Sequence, residues 1–523
     1  MLASILKFLT KNRMNFLRRY ELNGYAIQHL QWLYLIRKAT KTEFGKKYHF
    51  DQILSIKEFQ ERVPIHTYED TAPYIERMMN GEQNVLWATS VKWFSKSSGT
   101  TNAKSKFIPV SKESLWNCHY KGGKDLYLFY SHAYPDTRIL SGLSLALGGS
   151  ITSLRNGIEV GDVSAILMKN LPFWIASKRT PSLKIALMED WESKLEKNAA
   201  SAITHPRISD ISGVPSWMLL LLRRILEKTG ANNVSEVLPR LEVFFHGGVN
   251  FSPYKKQFQQ VIGKPDMRFW ETYNASEGFF AMQNEPNKDM LLMLDYGMFY
   301  EFLPLSELSS EKPQALMLNE VEVGKNYALI ISTNAGLWRY LIGDTVLVTS
   351  LHPLRIRVSG RIKNFINTFG EELMVDNAEK ALLYACEKTG AVVAEYTAGP
   401  VYISDCESNS GGDDKSSSSS SSSGTGAHHQ WLIEFEKEPS SIKEFALLLD
   451  EMLQKINSDY EAKRYKNMIL ELPEIIVLPR GTFYTWLKSN KRLGGQYKVP
   501  RLSNNRDIIE EILKLQPNSS LNL

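Results

Sequence analysis

From residue 91 to residue 333 the chain alternates short apolar runs of strand length with stretches of helical period. This alternation restricts the fold more than any other feature. Strand-like runs lie at 91–94, 106–110, 241–248, 267–273, 290–295 and 327–333. Helical patterns separate several of them, as at 216–228. Residues 1–90 are expected to be mostly helical, with a clear pattern through 25–38. Such alternation points to an α/β architecture with large sheets. At 523 residues the chain is too long for one ordinary core, so at least two domains are expected.

A break in composition comes late, where serine runs unbroken from Ser416 to Ser423. A tract of this kind has no apolar surface to bury, so residues 407–429 are expected to form a disordered insertion. It interrupts a small C-terminal domain of mixed strand (392–403, 431–435) and helix (376–389, 440–458). His428 and His429 fall in this loop and lack the acidic or thiol neighbours a metal site would need.

Charge and cysteine content exclude several functions. Net charge is +5 with no dense Lys/Arg stripe among aromatics, so no nucleic-acid partner is expected. Cys118, Cys386 and Cys406 are scattered, which argues against a disulfide framework or zinc site and fits a reducing cytoplasm. The N-terminal apolar run is broken by Lys7 and Lys11 and reads as an amphipathic helix rather than a signal peptide. The apolar helical run at 217–222 is far short of the roughly 20 residues a bilayer demands, so no membrane segment is expected.

Three segments carry chemistry. The first, SKSSGTTNAKSK (95–106), packs hydroxyls around one glycine between two strands. Gly99 permits close backbone approach, while Ser97, Ser98, Thr100 and Thr101 offer donors and Lys104 and Lys106 add charge. This is the composition of an anion nest, although it lacks the Walker pattern, and a plain solvated turn is the structural alternative. The second, WETYNASEGFF, places Tyr273, Ser276 and Glu277 after a strand. A tyrosine there can stack on a purine, and a carboxylate can hold Mg²⁺ on phosphate oxygens; a strand-to-loop turn with an ordinary surface glutamate is the alternative. The third, LWRYLIGDTVLV, sets Arg339, Tyr340, Gly343 and Asp344 between two apolar strands. Asp344 can accept both ribose hydroxyls, and a Gly-Asp hairpin turn is the plain structural alternative. GRIKNF follows, with Arg361 and Lys363.

The order SSGT, YxxSE, YxxGD, GR resembles the adenylate-forming superfamily. The wording of SSGTTNAKSKFIPVS, FHGGVNFSPY, YNASEGFF, LWRYLIGDTV, SGRIKNFINTFGEELMVDNAEKAL and GGQYKVPRL is similar to the acyl acid amido synthetases of the Gretchen Hagen auxin-responsive family. Asn102, Ala103 and Lys104 depart from the plant pattern and look like a bacterial-type member. The resemblance implies a large N-terminal domain of sheets flanked by helices (1–366) and a smaller α+β cap (367–523) that rotates between half-reactions.

It further implies ATP and Mg²⁺ as cofactors and acyl transfer from an acyl-AMP to an amino acid. Ser97, Ser98, Gly99, Thr100 and Thr101 would hold the triphosphate. Gly247, Gly248, Tyr273, Ser276, Asp344 and Arg361 would complete the nucleotide site. Glu277 would bind the metal, and Lys498 of the cap would stabilise charge during adenylation. Trp116, His119 and Tyr120 are candidates to line the acid pocket, with a core role the alternative. The expected partners are small-molecule acids and amino acids, and a cytoplasmic monomer is expected. Transfer to a coenzyme A thiol, or nucleotide binding without turnover, are the competing readings.

Overall fold

The computed structural model describes residues 2–97, 106–153, 157–248, 251–362, 365–366, 371, 373–401, 427–464, 470–490, 498–503 and 505–515. The chain divides into two compact units, one built on Met1–Val358 and the other on Ser359–Leu493 with Tyr497–Leu523. The division lies upstream of the expected boundary after residue 366.

The strands of the first part are β1 (Val91–Ser97), β2 (Lys106–Ser111), β3 (Leu143–Ala146), β4 (Ile151–Ser153), β5 (Glu159–Gly161), β6 (Arg179–Thr180), β7 (Ile208–Gly213), β8 (Val243–Gly247), β9 (Arg268–Ala275), β10 (Gly278–Met282), β11 (Met290–Leu292), β12 (Met298–Pro304), β13 (Asn326–Thr333), β14 (Tyr340–Leu351) and β15 (Leu354–Arg361). Four make a sheet in the order β2-β1-β5-β4. The other eleven make a second sheet in the order β12-β13-β14-β15-β11-β10-β9-β8-β7-β3-β6.

The larger sheet has two halves. Strands β6, β3, β7, β8 and β9 run parallel. Parallel neighbours need crossovers, and the helices Pro215–Thr229 and Ser252–Ile262 supply two of them. Each helix stops at a left-handed glycine, Gly230 (φ 69°) or Gly263 (φ 67°). The helices pack on the parallel half through Met218, Leu222, Phe244, Phe258 and Ile262. From β9 onward the pairs are antiparallel. Here all of β10 and six of the seven residues of β12 are buried, so periodicity gives way to continuous apolar runs. Phe280, Met282, Leu292, Tyr300, Ile331 and Ile356 share its core.

The N-terminal helix Leu2–Ala39 breaks at Asn23 (φ −137°, ψ 31°). It is tied down by Arg13, which pairs with Asp125 and Asp295 at 2.7 Å each. Among the described residues no helix is long and apolar enough to cross a membrane.

The second unit holds the two-stranded ladder of β16 (Phe365–Ile366) and β17 (Leu373–Met374) and the three-stranded sheet of β18 (Val392–Val401), β19 (His428–Lys437) and β20 (Glu474–Leu478). The helices Val375–Thr389 and Ile442–Ile456 pack on the sheet through Ala381, Leu382, Phe445 and Leu449. The serine run lies in residues 402–426, outside the described residues. The expected insertion reaches too far, because His428 and His429 belong to β19, where Val401 pairs with His428. Burial explains the difference. His429 is enclosed against Glu371, with 2.9 Å between Nε2 and Oε1, and its ring lies against Tyr460. A histidine with such partners extends the strand.

Candidate active site at the strand ends

The strands β1, β8, β9 and β14, which carry or flank sequence motifs of the first unit, approach one another. Ser97, half-buried, closes β1 opposite Lys106 of β2. The two strands therefore frame the hydroxyl-rich segment; Ser98, Gly99, Thr100 and Thr101 themselves lie outside the described residues.

On β8, Gly247 pairs with Thr272 of β9. A Cβ at Gly247 would lie 2.3 Å from the Thr272 carbonyl oxygen, so only glycine fits. Gly248 follows with φ 84° and is exposed. His246, just before, is buried and stacked on Phe251 at 4.1 Å. Burial pushes its imidazole down to about 3, which leaves a neutral wall.

Ala275 pairs with Gly278, so Ser276 and Glu277 form the two-residue turn between β9 and β10. Turns ordinarily face water, yet Ser276 is 5 % and Glu277 8 % exposed. Ser95 on β1 donates to Ser276 Oγ at 2.9 Å, and both groups are buried. Ser95 stands in the sequence as the first residue of the hydroxyl segment, but nothing there signals this contact.

Tyr273 donates from its hydroxyl to Asp344 Oδ2 at 2.8 Å, and its ring lies 4.8 Å from that of Phe280. Strands β15, β11 and β10 separate β14 from β9 in the sheet. At the usual strand spacing a flat sheet would hold them roughly 19 Å apart. The bond therefore requires the antiparallel half to curl until its distant strand reaches β9.

The sequence suggested Gly343 and Asp344 between two strands. In the structure they lie inside β14. Ala328 pairs with Thr345 and Ile330 with Leu341, so Leu329 alone faces Ile342, Gly343 and Asp344. The resulting bulge places Gly343 at φ 93° and re-aims Asp344. Arg339, by contrast, is structural. It is buried, pairs with Glu301 at 2.9 Å, and donates to the Gln60 and Val63 carbonyls.

The other candidates lie on other segments of the chain. Arg361 ends β15, half-buried, and Lys498 is exposed in the second unit. Trp116 and His119 lie in a π-helical turn, Leu115–His119, and Tyr120 opens the helix Tyr120–Ala133. Trp116 is 46 % exposed and meets Tyr120 edge to face at 5.0 Å. The Tyr120 hydroxyl donates to the Leu167 carbonyl at 2.8 Å. His119 is enclosed, its Nε2 has no hydrogen-bond partner among the described residues, and burial pushes it down to about 4. The three side chains thus occupy three different environments.

A second buried pair was not anticipated. Tyr127 donates to Asp210 Oδ1 at 3.0 Å. Burial pushes the Asp210 carboxyl up to about 6, against the pull of its Ser144 and Tyr127 hydrogen bonds. Asp210 reads in the sequence as one of three polar residues in a short strand, and only the packing of the helix Tyr120–Ala133 reveals it.

The sequence matches the GH3 family N-terminal domain over residues 13–267, the GH3 family central domain over 291–361 and the GH3 family C-terminal domain over 376–507. The chain belongs to the GH3 family. This GH3 chain is 23 % identical to the indole-3-acetic acid-amido synthetase GH3.3 of Arabidopsis thaliana, with 91 % of this chain and 89 % of the relative covered. Among solved structures it is similar to the GH3.15 acyl acid amido synthetase, at TM-score 0.74 and 17 % identity, covering 96 % of this chain and 95 % of the other. It also resembles a 2-hydroxyisobutyryl-CoA ligase in the postadenylation state, at TM-score 0.57 and 13 % identity, covering 94 % and 91 %. These structural likenesses establish the adenylate-forming ligase fold for this GH3 chain.

Proposed function

We propose that the protein is an ATP-dependent acyl acid amido synthetase. A substrate carboxylate oxygen attacks the α-phosphorus of ATP, the bond to the β-phosphate breaks, and pyrophosphate leaves. The amine of an amino acid then attacks the acyl carbon of the acyl-adenylate. The carbon–oxygen bond to AMP breaks, and the amine loses its proton. Positioning and charge stabilisation suffice for both steps, and no side-chain nucleophile is needed.

The observation that carries this reading is the Tyr273–Asp344 hydrogen bond, which brings two distant motifs of the family to one place. Its donor set suits a nucleotide: an aromatic face, a carboxylate acceptor for a ribose diol, and glycines that keep backbone accessible. Among the described residues no group of three potential ligands could hold a metal. Glu277 with substrate phosphates nevertheless matches how Mg²⁺ is bound, by one or two carboxylates and the substrate itself. Bound there, Mg²⁺ would offset charge on the phosphate oxygens. Ser97, Ser98, Gly99, Thr100 and Thr101 would cradle the triphosphate, and Arg361 and Lys498 would add positive charge during adenylation. Trp116 and Tyr120 would border the acid.

Pyrophosphate release is the direct test, measured over a panel of carboxylic acids with amino acids or coenzyme A as acceptor. Acid-dependent release, with amide formed only when an amino acid is present, is the expected result. The fold shared with the 2-hydroxyisobutyryl-CoA ligase motivates the thiol arm; thioester formation alone would replace the amide reading.

A further inference from the structure

Ser97, at the end of β1, and the Glu277 turn belong to different sheets. β1 lies in the four-stranded sheet, and β9 and β10 lie in the eleven-stranded one. Strand hydrogen bonding therefore does not set the distance between them. Ser95 does reach across, donating to Ser276 Oγ at 2.9 Å, with Ser95 fully buried and Ser276 5 % exposed. Ser95 is two residues before the start of the SSGT motif, and Ser276 is adjacent to Glu277.

We infer that Ser95 is a positioning residue for adenylation, one that fixes the end of β1, at Ser97, against the turn that carries Glu277. The inference rests on the function proposed above. A triphosphate held by donors on one sheet and by a cation on the other tolerates little sliding between them. Misplacement by about 1 Å costs on the order of 100-fold in a positioned reaction. The rest of the surroundings supports a built contact. Ser95 pairs with Ile108 of β2 and with Gly161 of β5, so its backbone is fixed on both sides. A buried hydroxyl that served only packing would be replaced at no loss by alanine. This one has an acceptor of matching burial on the other sheet.

The test compares Ser95→Ala with Ser95→Thr, which retains the hydroxyl. The Mg²⁺ concentration giving half-maximal pyrophosphate release and KM for ATP are measured, alongside thermal unfolding. Ser95→Ala is expected to raise both constants by roughly 10-fold. Aminolysis of supplied acyl-AMP should stay within about 2-fold of the wild type, and Ser95→Thr should restore adenylation. A lower unfolding temperature with an unchanged Mg²⁺ requirement would overturn the inference.

Calorimetric titration separates this outcome from failure of the functional proposal. If the wild type releases no pyrophosphate, Ser95→Ala should still weaken binding of the ATP–Mg²⁺ complex while leaving binding of ATP in EDTA unchanged. Equal effects with and without Mg²⁺ would also overturn the positioning role.

Discussion

The nucleotide-side cluster and the acid-side candidates differ in what places them. Tyr273, Ser276, Glu277 and Asp344 sit at strand ends, in a tight turn and on a bulge, all buried within a curled sheet. Trp116, His119 and Tyr120 sit on or beside one π-helical turn and face different surroundings. The first group is held by backbone that has few alternatives, and the second by side-chain packing that has many. Residues of the first kind should therefore respond to substitution through ATP chemistry, and residues of the second through the identity of the acid.

The largest expected effect comes from Asp344→Ala. It removes the acceptor and strands the buried Tyr273 hydroxyl, and adenylation measured as kcat/KM for ATP should fall on the order of 100-fold or more. A loss under threefold would break the comparison at its strongest point. Lys498→Ala should lower the adenylation rate by about 100-fold. ATP affinity, read by calorimetry, should change little, because the charge it answers develops during reaction. Tyr273→Phe keeps the ring and deletes the hydroxyl, and a rise of about 10-fold in KM for ATP with kcat nearly preserved is expected. Trp116→Ala should shift KM among acids by a few-fold and leave KM for ATP alone. Equal shifts in both would place Trp116 with the nucleotide residues.

The smallest effect concerns pH and separates Asp210 from both groups. Burial raises its carboxyl to about 6, so the folded state holds its proton over a range where the unfolded state has lost it. Stability from this group is present below the unfolded value and lost as pH rises through about 6, amounting to about 2–3 kcal/mol in all. Asp210→Asn should flatten the stability profile between about pH 4 and pH 6 in denaturant titrations. An unchanged slope would show that Asp210 ionises normally.

Much of the fold was legible in the sequence because strand length and helical period are local properties. The frames of the hydroxyl segment, the helix at Pro215–Thr229 and the strands β18 and β19 follow from them, whereas β16 and β17, of two residues each, are too short to stand out, and β20 was not anticipated. The Gly343–Asp344 bulge was not legible. A Gly-Asp pair suits a hairpin turn equally well, and the choice is made by the pairing of β14 with β13. His428 and His429 were misplaced because polar residues beside a serine run resemble more of the same loop, and Glu371, which encloses His429, is 58 residues away. The contacts of Ser95 and Asp210 escaped notice for a related reason. Each residue is one of several polar ones in a short strand, and its partner is supplied by a different sheet or helix.

The curl that brings Tyr273 to Asp344 also sets when the site can exist. Its two cross-connections span 181 residues, from Ser95 to Ser276, and 71 residues, from Tyr273 to Asp344. Contacts of such sequence separation form late, since the intervening chain must be closed first. During synthesis the hydroxyl segment emerges early, but its carboxylate partners wait for the antiparallel half to be made and rolled up. A chain interrupted before residue 344 would carry the glycines and hydroxyls of the motif and still lack the acceptor of the Tyr273 hydroxyl. The Tyr273–Asp344 contact thus reports completion of the large unit, and a growing chain gains it only near the end of that unit's translation.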